Sequence, residues 1–182
     1  MKINRTGLPL LLSAALAGCV AAPATPPPPA PAPRPAPVPA PPPAAAPAPK
    51  DWRDAAQTPG DWRYGASAGG SEARFVTGGG DAIVMLRCDR SARTVTLYRN
   101  GAASVAVPAS IATTSATRAL SAAPVAGASP AMVALAFDPN DRLLDAMAFS
   151  RGRFSLEING LPALYLPVWA EVGRVVEDCR RG

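Results

Sequence analysis

Histidine is absent from all 182 residues, and no other feature of the composition excludes as much chemistry. Without an imidazole there is no Ser–His or Cys–His activation of a nucleophile and no histidine metal ligand. Lysine occurs only at Lys2 and Lys50, so a lysine base is also missing from the part of the chain able to fold. Aromatic residues make up only 5% of the chain, too few for the stacking platforms of a nucleic-acid binder. Acidic residues are missing from the first 50 positions, since all 13 lie in 51–182.

These gaps cut the chain into three. Residues 1–18 form a short apolar leader, residues 19–50 are Cys19, Val20 and a linker, and residues 51–182 are one domain of ordinary size. The formal charge of +5 belongs mostly to the first two segments, because Lys2, Arg5, Arg34 and Lys50 lie there. The domain itself carries 14 Arg against 13 acids and is close to neutral, so no nucleic-acid partner is expected.

Lys2 and Arg5 precede an apolar run from Leu8 to Ala17, too short to cross about 30 Å of hydrocarbon, and this is the pattern of a secretory signal. Its end, Leu16-Ala17-Gly18-Cys19, resembles the lipobox of bacterial lipoprotein precursors. The resemblance implies cleavage before Cys19 and attachment of diacylglycerol to its thiol. Two or three acyl chains on one terminus hold far more strongly than one chain at about 0.8 kcal/mol per buried methylene. Val20 follows where an Asp would signal inner-membrane retention, so the family rule implies the outer membrane, with the domain in the periplasm or at the cell surface. Residues 21–50 contain 15 Pro and 11 Ala. Such a tract favours polyproline II, rising about 3.1 Å per residue, and is expected to act as a spacer reaching on the order of 90 Å.

From Asp61 onward the pattern has period two with turn punctuation, which predicts a mainly β domain, sandwich or barrel-like, with two helices. Strands are expected at Trp62–Tyr64, Ala73–Val76, Ala82–Cys88, Arg93–Arg99, Ser104–Val107, Ile111–Thr114, Thr117–Leu120, Met132–Phe137, Phe154–Ile158 and Ala163–Leu166. Asp138-Pro139 reads as a cap and first helical residue, with Leu143, Leu144 and Met147 as the apolar face. A closing helix is expected from Pro167, with Trp169, Val172, Val175, Val176 and Cys179 as a stripe against the sheet.

With Cys19 given to lipid by the lipobox resemblance, Cys88 and Cys179 remain as a pair in an oxidising compartment. A bridge between them would tie the central strand to the closing helix, worth about 4 to 5 kcal/mol in the chain-entropy model. A redox-active pair is the alternative, but such pairs usually lie in a Cys-x-x-Cys segment at a helix start, whereas 90 residues separate these two.

Candidate chemistry is sparse. Ala148-Phe149-Ser150-Arg151-Gly152 is similar to a nucleophile elbow, yet it leaves a helix for a strand and has no base. Asp138, Asn140 and Asp141 match the opening of a calcium loop, but Arg142 and Leu143 break it and a helix cap accounts for them. No metal, cofactor or catalytic residue is expected. Arg151 and Arg153 bracket Gly152 and would suit a carboxylate, such as a peptide terminus or a cell-wall stem peptide. Trp62 lies in Asp-Trp-Arg, repeated at 51–53 and 61–63, as either a ligand platform or an anchor of the domain's first strand. The overall pattern resembles small periplasmic β-rich modules of the invasion-associated locus B type, without a motif that transfers a residue or an activity. The expectation is an outer-membrane lipoprotein with a non-catalytic interaction domain for an envelope protein or peptidoglycan. The alternatives are a wall hydrolase using Asp145, Glu157 and Glu171, and a structural tether.

Overall fold

A computed structural model describes residues 51–181; the leader, the lipobox with Cys19, and the linker up to Lys50 lie outside the described residues. Nine strands run β1 (Asp61–Ser67), β2 (Gly70–Val76), β3 (Ala82–Asp89), β4 (Thr94–Asn100), β5 (Val107–Ala112), β6 (Thr117–Pro124), β7 (Met132–Phe137), β8 (Arg153–Ile158) and β9 (Leu164–Pro167). Two α-helices, α1 (Arg142–Ala148) and α2 (Ala170–Arg180), and a single helical turn at Trp52–Asp54 complete the described residues.

Alternation does the folding. In β3 and β4, Val84, Leu86, Cys88, Val95 and Leu97 point to one face and are buried, while Met85, Arg87, Thr96 and Tyr98 point to the other. Pairing Leu86 with Leu97 and Leu97 with Leu135 carries that apolar layer across β3, β4 and β7. The strand order is β1-β2-β3-β4-β7-β6-β5-β8-β9, antiparallel throughout. The sheet curls at β6, which pairs with β5 along Thr117–Ala122 but with β7 only at Ala123 and Pro124. The two edges then meet. Thr58 and Tyr165 exchange hydrogen bonds of 2.9 Å, and the Trp62 indole donates to the Pro167 carbonyl at 2.8 Å. The mainly β expectation, with a C-terminal helix tied to a strand, therefore holds.

Trp62 is 3% exposed and meets Phe75 edge-on, with ring centroids 5.3 Å apart. The ligand-platform alternative for Trp62 is thus corrected: the indole lies in the core, where it locks β1 to β9. Its sister Trp52 belongs to the helical turn on the approach to β1. Helix α2 lays Val172, Val175, Val176 and Cys179 into the same core, and Cys179 bonds Cys88 of β3 with their Cα atoms 5.4 Å apart.

Both helices start later than the sequence pattern suggests. The cap of α1 is Asp141, not Asp138, with its carboxylate accepting from the Leu143 N–H at 2.8 Å. Asp141 also grips both ends of the Arg118 guanidinium, at 2.8 and 2.7 Å. The hydrogen bonds from Arg118 hold its carboxyl below the usual range, with the Leu143 N–H adding to the effect. Asp138 closes only the preceding turn, through Asn140 N–H at 2.8 Å. Pro167 ends β9 instead of opening α2, because its strand pairing to Arg153 and its carbonyl bond to Trp62 keep it extended. Pro108 likewise divides nothing, since it stands at the second position of one strand, β5, where two segments were expected.

Candidate functional site

The late start of α2 leaves Trp169 as its N-cap in extended conformation, 40% exposed, off the helical stripe that would have buried it. The core role expected for Trp169 is thereby corrected. At the end of α1, Phe149 is the C-cap and stands 80% exposed. Its backbone explains the position, because its N–H still closes on the Asp145 carbonyl at 2.9 Å while the side chain is two residues past the last buried member of the stripe Leu143, Leu144 and Met147. Among the described residues only Val105, Phe149 and Trp169 are exposed large hydrophobics, and the last two share one cleft.

That cleft, about 540 Å³, is lined by Phe149, Val168, Trp169 and Gly173, with Arg174, Glu177, Asp178 and Arg181 along one side. The polar side is braced. The Tyr64 hydroxyl donates to Asp178 Oδ2 at 2.6 Å, and the Arg174 guanidinium lies 4.1 Å from the centre of the Tyr64 ring. The hydrogen bond from Tyr64, and further the nearby Arg174 and Arg181 charges, hold the Asp178 carboxyl below its usual range. Phe149 is a ridge, for on its other side a depression of about 710 Å³ is lined by Arg53, Thr114, Ser115 and Arg151.

The two arginines expected to act together are separated. Arg151 is exposed in this depression, with no carboxylate partner among the described residues. Arg153 instead donates to the Ala55 carbonyl and fastens the chain leading into β1. Arg53 takes the second place beside Arg151. It lies 4.8 Å over the Trp52 ring and 3.3 Å from Asp51.

Ser150, the serine of the elbow-like segment, points inward at 4% exposure. It accepts from the Thr114 N–H at 3.0 Å and donates to the Arg153 carbonyl at 2.6 Å, so it braces the turn below Phe149. The three acids weighed for hydrolysis line different places. Asp145 pairs with Arg180 at 2.8 Å, Glu157 borders a separate shallow cleft with Asn159 and Gly160, and Glu171 is in the first turn of α2. Among the described residues no three His, Cys, Asp or Glu side chains are grouped to hold a metal, and no helix is long and apolar enough to cross a membrane.

Sequence reasoning gave Phe149 no role of its own and placed Trp169 in the core. A helical wheel drawn on Leu143, Leu144 and Met147 puts Phe149 off the apolar stripe, and that was the available signal. No family model, curated protein or solved structure matches this chain.

Proposed function

We propose that this protein is an outer-membrane lipoprotein whose domain is a non-catalytic envelope interaction module, and that it binds a partner over the Phe149–Trp169 ridge. The reading joins an address and a surface. Leu16 to Cys19 has the lipobox pattern, and the 15 Pro and 11 Ala of residues 21–50 suit a spacer that carries the domain away from its anchor. The observation that carries the interaction role is the exposure of Phe149, at 80%, in the same cleft as the 40% exposed Trp169. Covering both rings removes on the order of 250 Å² of apolar surface from water, about 6 kcal/mol before the costs of association. Arginines and carboxylates around the rings give the polar rim of a binding surface.

In-cell crosslinking of the anchored protein, in parallel with a Cys19→Ala form, tests the reading. One dominant adduct, protein or muropeptide, formed only by the anchored form supports an envelope adaptor. An abundant anchored protein without a specific adduct contradicts it.

A further inference from the structure

The depression on the far side of Phe149 has a chemistry of its own. Arg151 presents an exposed guanidinium with no carboxylate partner among the described residues. Its backbone N–H donates to Thr114 Oγ1 at 3.2 Å, which occupies a lone pair of that hydroxyl and leaves its hydrogen to be donated outward. Ser115 beside it is exposed. The loop that carries both hydroxyls is fixed before any ligand arrives. Thr113 Oγ1 accepts from the Ser115 and Ala116 N–H groups at 3.3 and 2.9 Å, and Ser150 Oγ accepts from Thr114 N–H at 3.0 Å. Arg53 is steadied by the Trp52 ring and by Asp51, which also neutralises much of its charge.

The cleft thus holds about one uncompensated positive charge, two hydroxyl donors and an aromatic wall. A monoanion matches that charge, whereas a phosphate dianion leaves a negative charge unmet. The Phe149 ring adds a demand for an apolar group next to the anion. We infer that this depression receives the terminal carboxylate of a peptide, with Arg151, Thr114 and Ser115 on the carboxylate and Phe149 against the last side chain. This rests on the interaction reading above and names the chemistry of the partner, a free peptide C-terminus from either an envelope protein or a wall stem peptide.

The test uses the full chain in detergent and three probes: an acetylated Ala-Ala-Leu peptide with a free carboxylate, the same peptide as its C-terminal amide, and a wall stem peptide ending in D-Ala. Binding is followed by the amide NMR shifts of Ser115 and Arg151. At least one free-acid probe is expected to bind about tenfold or more tightly than the amide. Arg151→Ala should abolish the acid–amide difference with an unchanged melting temperature, and Arg151→Lys should keep part of it. Preference for the Leu peptide assigns a protein terminus, and preference for the D-Ala peptide assigns the wall. Equal binding of acid and amide, no binding of either acid, or an unaffected Arg151→Ala protein overturns the inference. If the wild type shows no acid preference but still forms its in-cell adduct, the interaction reading stands without its carboxylate; if the wild type shows neither, both fail.

Discussion

Replacing Cys88 and Cys179 together with Ala removes a cross-link between residues 91 apart in sequence. Closing a loop of that length in the unfolded chain costs about 15.5 cal/mol/K of entropy, which is about 4.6 kcal/mol at 25 °C. Removing two sulfurs buried in the core adds a packing cost on the folded side, so this figure is a lower bound for the double variant. A domain of ordinary stability has about 5–15 kcal/mol to lose, so the double variant should fold but be marginal. Urea unfolding followed by circular dichroism measures it. With a slope of about 2 kcal/mol per molar, the midpoint should fall by about 2 M or more, and reduced wild type, which keeps both sulfurs, should lose about 2 M and no more than the double variant. The effect should reach the ridge as well, since α2 carries Gly173 and Arg174 on the wall of the Trp169 cleft. A midpoint shift below about 0.5 M would refute the view that the bridge is a principal staple of α2 on the sheet.

Acid should weaken the fold in a defined window. Asp141 and Asp178 are both held below the ordinary aspartate value of 3.8, so their stabilisation is complete above that pH and is lost as pH falls through the lower folded values. The urea midpoint should be flat above about pH 5 and drop below about pH 4, and Asp141→Asn should blunt the drop. Combining Asp141→Ala with Arg118→Ala in a double-mutant cycle should give about 1 kcal/mol of coupling, because the bidentate pair is only partly exposed. Trp62→Ala should cost about 3–5 kcal/mol in the same assay, because it opens a cavity and frees the edge contact of β1 with β9. Gly60→Ala should cost about 1–3 kcal/mol or more, because φ there is +150° and a Cβ would lie 2.7 Å from the Val76 carbonyl oxygen.

The period-two pattern made the β class and the β3–β4 and β8–β9 hairpins legible, and spacings of three and four did the same for the apolar stripe of α2, because each depends on residues near one another in sequence. The order of strands was not legible. Nothing local tells β4 to pair with β7, Leu97 beside Leu135, over the intervening β5 and β6. Helix starts were misplaced for a similar reason. Asp138-Pro139 has the local chemistry of a cap, but Asp141 gains Arg118 from β6, 23 residues earlier, and becomes the cap of α1. Trp169 fits a helical stripe on paper, and the bond from Trp62 to Pro167, 105 residues apart, holds the chain before it extended. Arg151 was legible as exposed, but its separation from Arg153, expected to act with it, was not, because Arg153 is taken by Ala55 from the approach to β1. The exposed aromatics needed the third dimension most, since exposure is decided by which neighbours arrive.

A photoreactive residue placed at position 149 of the anchored protein in living cells tests the proposed interaction surface most directly. Position 105 serves as the comparison, because Val105 is also exposed, at 66%, but lines neither cleft beside Phe149. One dominant adduct is expected from position 149, weakened by Trp169→Ala, and none from position 105. Equal labelling from the two positions, or no adduct from position 149 in abundant anchored protein, would contradict it.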